Sequence, residues 1–313
     1  MKFKKPKFWD LKKPNLLSLV LYPLTIPLII NNLILKIKSN KLRDEIKTIC
    51  VGNIYVGGTG KTPATIRLYH ILKKLNFKVT TAKKFYTGQK DENEILKEET
   101  RFITGKTRKS IIQNAIDNQE EVLIFDDGLQ DRNVNYDLKF VCFDSDLWIG
   151  NGNLIPSGPL REKINSLKKY DAVFIKDNNS GLNEKIEIIR RYNSHIKIFE
   201  TFYELSNLKN FDLKNDFLIF SGIGNPENFK KILLKNNFMV RKEIVFPDHY
   251  TYTKSDIEKI EETAKKINAK IITTKKDYVK IIKLGFKNIN YLDLNLKIKN
   301  EENLINFIKQ KIL

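Results

Sequence analysis

Short apolar runs alternate with amphipathic stretches along most of this chain. Residues 122–125 form a continuous apolar run, which is typical of a strand buried on both faces of a sheet. Between residues 64 and 76 the apolar residues recur every three or four positions, which predicts a helix. Further strands are predicted at residues 77–82, 138–143, 171–175, 217–220, 244–246 and 270–274, and further helices at 226–236, 255–267 and 301–313. Such alternation predicts an α/β protein with a mostly parallel sheet.

The N-terminal apolar stretch has a different character. Residues 14–35 run for 22 positions without a charged side chain, and residues 1–13 carry six lysines together with aromatic residues. A transmembrane helix needs about 20 apolar residues, but Pro23 and Pro27 interrupt this run. Three interpretations remain open: a transmembrane anchor, an interfacial segment, and a buried pair of core helices. The neighbouring basic and aromatic residues favour the membrane interface.

A glycine-rich sequence at residues 48–63, TICVGNIYVGGTGKTP, predicts a strand, a tight turn and the first turn of a helix. Backbone N–H groups in such a turn bind phosphate oxygens. Lys61 is expected to reach the β- and γ-phosphates of a nucleotide, and the Thr62 hydroxyl to ligate Mg²⁺. The P-loop pattern has glycine at the position of Tyr55. The predicted nucleotide-binding residues are Tyr55, Val56, Gly57, Gly58, Thr59, Gly60, Lys61 and Thr62.

Acidic and basic side chains at three other places complete the candidate chemistry. Asp126 and Asp127 follow the apolar run at 122–125, where a carboxylate lies beside the phosphate loop of a doubly wound sheet and holds Mg²⁺. Arg161 ends a long loop rich in Gly, Pro and Asn, and it is a candidate for stabilising charge on a transferring phosphoryl group. His249 follows Pro247-Asp248 at the end of a predicted strand, a common place for a site residue.

Composition adds little about partners. Among 313 residues, 56 Lys and Arg outnumber 37 Asp and Glu, giving a formal charge of +19. Such an excess suits nucleic acid, an anionic membrane surface or a phosphorylated substrate. However, the lysines are spread along the chain and no nucleic-acid-reading motif is present, so no nucleic-acid partner and no obligate protein partner is predicted. Cys50 and Cys142 lie in apolar runs, as expected of reduced core residues in a cytosolic protein.

Six segments together resemble one family, the tetraacyldisaccharide 4′-kinases, which are the lipid A 4′-kinases of Gram-negative bacteria. The segments are VGNIYVGGTGKTP, IFDDGLQ, GNLIPSGPLRE, FSGIGNP, FPDHY and ITTKKD. They occur in the family's order, between residues 50 and 280. In that family the position matching Tyr55 is likewise not glycine, so this departure from the P-loop pattern supports the resemblance.

The resemblance implies transfer of the γ-phosphate of Mg-ATP to the 4′-hydroxyl of an acylated glucosamine disaccharide 1-phosphate, forming lipid IVA. It implies ATP and Mg²⁺ as cofactors, a lipid substrate and an anionic membrane surface as partners. The expected location is the cytoplasmic face of the bacterial inner membrane, with peripheral or N-terminal anchoring. By resemblance Asp91 is the catalytic aspartate, and His249 helps it to activate the hydroxyl. Asp126 and Asp127 are the metal-side carboxylates, and Arg161 contacts phosphate.

Four departures from the family's pattern are present. The family's Arg-Gly-Tyr before the aspartate is Lys-Phe-Tyr at residues 84–86, and its G-D-E-P block is Lys-Asp-Glu-Asn at residues 90–93. Asp131 replaces a histidine, and Lys275 replaces the glutamate of the T-E-K-D block. These changes are expected of a divergent member rather than of a different reaction.

The predicted fold is a P-loop, doubly wound domain with a mostly parallel sheet, followed by a second, smaller α/β lobe and preceded by an apolar helical segment. Residues 1–40 are expected to be the membrane-associating segment, 41–205 the nucleotide-binding domain and 206–313 the smaller lobe. Residues 178–208 are predicted to be a polar, extended connection. The alternative function is a P-loop switch ATPase at the membrane surface, although the FPDHY block and the second lobe favour the kinase.

Overall fold

The computed structural model describes residues 5–30, 45–86, 90–131, 133–177 and 181–312. The chain forms two compact units. The larger unit consists of Lys5–Phe85, Glu99–Phe202 and Leu296–Leu313. The smaller unit contains Tyr86–Glu98 and Tyr203–Asn295. Each unit is built around its own sheet.

The strands are β1 (Lys47–Gly52), β2 (Val79–Lys84), β3 (Phe102–Gly105), β4 (Val122–Asp126), β5 (Leu138–Asp144), β6 (Ala172–Lys176), β7 (Lys197–Leu205), β8 (Asp216–Ser221), β9 (Met239–Val245), β10 (Lys270–Thr274), β11 (Asn290–Leu292) and β12 (Leu294–Ile298). The helices that the structure bounds are α1 (Leu16–Leu21), α2 (Lys61–Lys74), α3 (Lys90–Glu99), α4 (Arg108–Asp117), α5 (Leu182–Tyr192), α6 (Pro226–Lys235), α7 (Lys254–Lys266), α8 (Lys275–Ile281) and α9 (Glu301–Ile312). Short 3₁₀ turns connect several of them.

The larger sheet has eight strands in the order β12-β7-β6-β5-β1-β4-β2-β3. The seven strands from β7 to β3 pair in parallel. β1 lies between β4 and β5, and the chain places β2 to β4 on one side of it and β5 to β7 on the other. The loop after β1 is therefore at the point where the strand order reverses, which is where open α/β sheets bind their ligands.

Burial of the strands explains why apolar runs predicted them. Every residue of β4 is buried, and β5 is buried except at Lys139. Two apolar clusters surround the sheet, one around Leu123 and Phe125 and the other around Val141 and Phe143. The predicted doubly wound, mostly parallel sheet is confirmed.

The smaller sheet has four strands in the order β11-β10-β8-β9, and all three pairs are parallel. Leu218 and Phe220 of β8 belong to one apolar cluster, and Phe217 and Ile219 belong to another. This alternation follows from the period of two along a strand, because successive side chains point to opposite faces. The smaller α/β lobe that the sequence predicts is therefore confirmed.

The prediction for residues 178–208 was wrong. The described part of this stretch contains helix α5 and the nine-residue strand β7. β7 is buried only at Phe199 and Thr201 and carries Lys197, Glu200 and Glu204 among its apolar residues. These charged side chains obscured the strand because the prediction relied on continuous apolar runs. Strand β3 and helix α4 were also not predicted, for their apolar residues are few.

The N-terminal segment folds as α1, a 3₁₀ turn and further helical residues at 26–30. Pro23 lies in the 3₁₀ turn, where its missing N–H interrupts the helix. No helix within the described residues has the length and apolarity required to cross a membrane. Residues 1–4 and 31–40 of the predicted membrane-associating segment lie outside the described residues.

Candidate active site

The loop between β1 and α2 has the backbone shape of an anion site. Gly57 and Gly60 have φ angles of +136° and +86°, where a Cβ atom would be strained. Buried Asn53 fixes the loop, since its amide donates to the Gly57 carbonyl at 3.2 Å and to the Thr59 hydroxyl at 2.9 Å. Gly60 is the N-cap of the 14-residue helix α2, so the positive end of the helix dipole lies at this loop. These features favour phosphate oxygens.

Tyr55 shows why this loop needs no glycine at its first position. Tyr55 is not among the described residues that have a positive φ, so its backbone accepts a side chain. The ring is fully buried against Leu154 and Leu160. Its hydroxyl donates to Asp10 and accepts from Lys5 Nζ at 3.1 Å. Burial and the Asp10 carboxylate raise the pKa of Tyr55, which keeps this hydroxyl protonated.

Thr62 and Asp126 meet beside the phosphate loop. Asp126 ends β4, and the parallel register aligns it with Val51 of β1. The Thr62 hydroxyl donates to Asp126 Oδ2 at 2.9 Å. Lys83, whose side chain is only 1% exposed, places its Nζ 2.8 Å from the same oxygen. Burial of an ammonium is costly unless a carboxylate is paired with it, so Asp126 and Lys83 depend on each other.

Asp127 is held by two further cations. Arg161 Nη1 donates to both carboxylate oxygens at 3.0 Å, and Lys61 Nζ lies 3.8 Å from Oδ2. Burial alone would raise the pKa of Asp127, but the charges of Lys61, Arg161 and Lys83 outweigh it and lower the pKa. The carboxylate is therefore ionised at neutral pH, as a ligand of a cation must be.

The donor atoms of this cluster suit Mg²⁺. Within the described ranges, no group of three or more His, Cys, Asp and Glu side chains is arranged to hold a metal by itself. Mg²⁺ does not need such a group, because it is usually bound through one or two carboxylates together with water and substrate phosphates. Thr62, Asp126 and Asp127 supply hard oxygen ligands of this kind. The residues present therefore fit the ion.

The smaller unit holds a second cluster, around Asp91 and His249. Asp91 lies in the first turn of α3 and is 6% exposed. His249 Nδ1 lies 3.1 Å from Asp91 Oδ1 and 3.2 Å from Oδ2. His249 has a φ of +56°, which is uncommon for a residue other than glycine. Its backbone N–H donates to the Gly222 carbonyl at 3.2 Å and to Asp248 Oδ1 at 2.9 Å, and these bonds hold the unusual conformation.

Two lysines of α8 surround the same carboxylate. Lys276 Nζ lies 3.5 Å and Lys280 Nζ lies 3.4 Å from Asp91 Oδ2. Burial alone would raise the pKa of Asp91. The hydrogen bond with His249 and the charges of Lys276 and Lys280 outweigh burial and hold the pKa well below its usual value. Asp91 is therefore a stable anion that accepts hydrogen bonds from several directions.

Buried Asp277 organises the loops around this cluster. Its Oδ2 accepts from the Gly222 N–H and from the Thr274 hydroxyl, each at 2.8 Å. A Cβ atom at Gly222 would lie 3.0 Å from the Tyr252 hydroxyl and 3.2 Å from the Pro247 carbonyl, which explains the glycine here. Asp277 thus links the segments FSGIGNP and ITTKKD, and FPDHY joins them through the His249 N–H, which donates to the Gly222 carbonyl.

The predicted site residues form two clusters, one in each unit. Lys61, Thr62, Asp126, Asp127 and Arg161 are brought together in the larger unit by the contacts described above. Asp91 and His249 are brought together in the smaller unit.

Sequence reasoning missed Lys83, Lys276 and Lys280. Lys276 lies in the ITTKKD segment and Lys280 follows that segment by three positions, but the resemblance assigns no role to either lysine. Lys83 could have been found because it continues a predicted strand. A lysine that is buried in a strand needs a buried carboxylate as its partner.

A glycine-rich loop at the reversal point of a parallel sheet, with Lys-Thr at the helix start and a carboxylate at the end of the neighbouring strand, defines a P-loop nucleotide-binding protein. The sequence profile of the tetraacyldisaccharide-1-P 4′-kinase family matches residues 17–101 and 88–313. A tetraacyldisaccharide 4′-kinase of Pelagibacter ubique is 46% identical over 308 residues, covering 98% of this chain and 97% of that protein. The chain belongs to this family, which confirms the resemblance.

Other relatives agree. Tetraacyldisaccharide 4′-kinases of Rickettsia bellii and Rickettsia canadensis are 33% and 35% identical, covering 98% and 96% of this chain and 98% and 95% of their own lengths. Among solved structures, LpxK from Aquifex aeolicus in complex with ATP matches with a TM-score of 0.70 at 24% identity, covering 95% of this chain and all of that chain. This likeness supports the fold. The chain is thus an enzyme of a kinase family, and the switch-ATPase alternative is not favoured.

Proposed function

We propose that this chain is a lipid kinase that transfers the γ-phosphate of ATP to the 4′-hydroxyl of a tetraacyldisaccharide 1-phosphate. Membership of the family supports this class of reaction, and the side chains of the two clusters have the chemistry that the reaction requires. The larger unit has a phosphate-binding loop with its cations. The smaller unit has an ionised carboxylate paired with a histidine, as expected for activating a hydroxyl group.

The larger unit would hold the donor. The backbone N–H groups of residues 57–62 would bind the β- and γ-phosphates, and Lys61 and Arg161 would turn from Asp127 towards their charge. Thr62, Asp126 and Asp127 would hold Mg²⁺, which when bound neutralises charge on the phosphate oxygens. Lys83 is placed to keep Asp126 Oδ2 fixed while its surroundings change. Because phosphoryl transfer requires little covalent work from the protein, positioning and charge compensation account for most of the catalysis.

The smaller unit would activate the acceptor. Asp91 would accept the proton of the 4′-hydroxyl, and His249 would orient Asp91 through the bond at Nδ1. Since the pKa of Asp91 is low, Asp91 is a weak base. A weak base is sufficient in a loose transition state, because the hydroxyl proton becomes acidic only as its oxygen bonds to phosphorus. Asp91 would therefore align the hydroxyl first and take its proton late.

The exposed side chains of the N-terminal segment support the proposal that the protein meets its lipid substrate at a membrane surface. In α1 the side chains of Leu16, Leu17, Leu19 and Val20 face outward, with Leu16 78% and Val20 66% exposed, whereas Ser18 is buried. Ser18 is held inward because its hydroxyl accepts from Asn151 at 2.8 Å and its carbonyl accepts from Ser157 at 2.7 Å. An outward apolar face beside basic residues fits the interface of an anionic bilayer. We place this surface at the cytoplasmic face of the inner membrane, and flotation with anionic vesicles tests it: replacing Leu16 and Val20 with serine should abolish flotation.

The reaction itself is tested by incubating the full-length protein with [γ-³²P]ATP, Mg²⁺ and the disaccharide 1-phosphate in mixed micelles. Labelled lipid is expected, and its formation should cease when the acceptor lacks the 4′-hydroxyl. Lys61→Ala serves as the matched control for ATP-dependent labelling, because it removes a charge from the proposed ATP site and leaves the smaller unit unchanged. Hydrolysis of ATP at the same rate with and without lipid, and with no labelled product, would overturn the proposal.

A further inference from the structure

The backbone of Arg161 is bonded directly to the phosphate loop. Arg161 ends the stretch that follows β5, residues 145–161, which we call the Arg161 loop. The Arg161 N–H donates to the Ile54 carbonyl at 2.7 Å, and the Val56 N–H donates to the Pro159 carbonyl at 2.9 Å. These two bonds fix the point from which the Arg161 side chain extends, relative to the loop that is expected to bind phosphate.

The N-terminal segment packs on this pairing of the two loops. Tyr55 and Leu160 form an antiparallel bridge, and together with Leu154 they make a buried apolar cluster. Leu28 and Ile29 of the N-terminal segment are partly buried against that cluster. Residues that were predicted to associate with the membrane therefore also cover the place where two parts of the proposed ATP site are joined.

Trp9 binds the Arg161 loop at a second place. Trp9 is 2% exposed, and its indole N–H donates to the Pro156 carbonyl at 3.0 Å. The Trp9 carbonyl accepts from the Asn151 N–H at 3.0 Å. A Cβ atom at Gly150 would lie only 2.2 Å from the Trp9 carbonyl oxygen. The close approach of Trp9 therefore requires glycine at residue 150.

The side chain of Asn151 adds a further connection. Its amide donates to the Ser18 hydroxyl at 2.8 Å and to the Ser157 carbonyl at 3.0 Å. The Ser157 hydroxyl donates to the Ser18 carbonyl at 2.7 Å. All three residues are buried, so each of these groups would be costly to leave without its partner. The N-terminal segment thus has an exposed apolar face and a second face that is hydrogen-bonded to the Arg161 loop.

We infer that Trp9 is a positioning residue for Arg161: through Pro156 and Asn151 it holds the Arg161 loop against the phosphate loop. The segment proposed to meet the membrane is then also a structural part of the ATP site. A charged group that is misplaced by about 1 Å loses much of its effect on a reacting group, so a small shift of this loop is sufficient to matter. The inference rests on the proposed function, because it takes the γ-phosphate of ATP as the group that Arg161 contacts.

Nucleotide binding in the absence of lipid tests the inference. Trp9→Phe keeps a buried ring but removes the N–H that donates to Pro156. The full-length variant should bind a fluorescent ATP analogue with Mg²⁺ about 2- to 10-fold more weakly than wild type. A fluorescent ADP analogue should bind as tightly as it binds to wild type, because ADP has no γ-phosphate. Equal losses for both nucleotides would show that Trp9 only stabilises the fold, and an unchanged affinity for ATP would also overturn the inference.

A double-mutant cycle tests whether Trp9 acts through Arg161. Arg161→Ala alone should weaken binding of the ATP analogue, and adding Trp9→Phe should cause no further loss. A further loss as large as that caused by Trp9→Phe alone would overturn the inference, since Trp9 would then act independently of Arg161. Leu24→Ser is the matched control. Leu24 lies in the same segment and is 60% exposed, so this substitution should change the affinity for neither nucleotide.

The wild-type protein offers a measurement that needs no variant. If Trp9 positions Arg161 for ATP, bound ATP must in turn stabilise the contacts of Trp9, because coupling between two sites is reciprocal. Hydrogen exchange in peptides from residues 5–21 should therefore be slower with a non-hydrolysable ATP analogue than with ADP. Equal exchange with the two nucleotides would overturn the inference even if no variant could be purified.

The binding measurements and the kinase assay fail independently. If ATP binding depends on Trp9 as expected but no lipid is phosphorylated, the proposed acceptor is wrong and the role of Trp9 stands. If lipid is phosphorylated but Trp9→Phe binds ATP as wild type does, the role of Trp9 is wrong and the proposed function stands.

Discussion

The larger and smaller units each contain a carboxylate cluster neutralised by basic side chains, but the chain builds the two clusters differently. In the larger unit, Lys61 and Thr62 are neighbours at the start of α2, and a single pair of adjacent strands brings Asp126 and Asp127 to them. In the smaller unit, Asp91 comes from α3, His249 from the loop after β9 and Lys276 from α8. No short motif contains that second set.

This difference corresponds to what each cluster is expected to bind. Many proteins bind a nucleoside triphosphate, and a single loop with a helix N-terminus is sufficient to recognise its phosphates. The acceptor of a lipid kinase is particular to the enzyme, so its groups are assembled by tertiary structure from segments far apart in the chain. We expect substitutions in the two clusters to separate nucleotide binding from acceptor activation.

The largest effect is expected from Asp91→Asn. The amide has the size of the carboxylate but cannot accept a proton, so the rate of lipid phosphorylation should fall by about 10²- to 10⁴-fold. Binding of ATP, followed with a fluorescent nucleotide analogue, should be unchanged, because Asp91 belongs to the acceptor cluster. Lys61→Ala should instead weaken nucleotide binding as well as the rate. Near-normal turnover in Asp91→Asn would remove Asp91 from the catalytic machinery.

A large effect on stability is expected at Lys83. Lys83→Met leaves the buried Asp126 without its ammonium partner, which should lower the free energy of unfolding by about 3 kcal/mol. Replacing both residues, as in Lys83→Met with Asp126→Leu, should restore most of that loss, because no charge is then left buried. Urea denaturation measures both values. Equal stability of wild type and Lys83→Met would show that the pair is not a structural ion pair.

The pH dependence of stability tests the low pKa of Asp91. Because the pKa of Asp91 is lower in the folded protein, the stability that it contributes is present above its unfolded value of about 3.9 and is lost as pH falls towards the folded value. The difference in unfolding free energy between wild type and Asp91→Asn should shrink as pH falls below about pH 4. Glu120 is a control of opposite sign, since burial raises its pKa. The unfolding free energy of wild type relative to that of Glu120→Gln should therefore fall as pH rises.

The smallest effect is expected from Tyr55→Phe. The ring stays in its apolar pocket, but Asp10 loses the hydroxyl hydrogen bond, which should cost about 1 kcal/mol of unfolding free energy. The backbone of the phosphate loop does not depend on that hydroxyl, so kcat should change less than twofold. Tyr55→Gly is the sharper comparison: it restores the P-loop pattern but empties the pocket, and it should be far less stable.

The two clusters also differ in how much of each the sequence could predict. The phosphate loop and the strands at β4 and β5 were predictable because they depend on local patterns, a glycine turn and continuous apolar runs. β7 was not, since its charged residues break the apolar run while backbone pairing still includes it in the sheet. His249 stood out by its place after a predicted strand, but the role of Asp91 and its pairing with His249 came only from the resemblance, as 158 residues separate the two in the chain. Lys276 was missed because a lysine pair looks like a solvated surface until a fold surrounds it with carboxylates.

The inward serine of α1 also bears on how this segment should change over evolutionary time. Its outward positions, such as Leu16 and Val20, are exposed among the described residues, and one apolar side chain should replace another there with little consequence. Ser18 lies in a buried space, so an apolar replacement would lose the hydrogen bond from Asn151 to its hydroxyl, and a larger replacement would not fit. Related chains should therefore vary freely among apolar residues along the outward face while keeping one small hydroxyl residue between them.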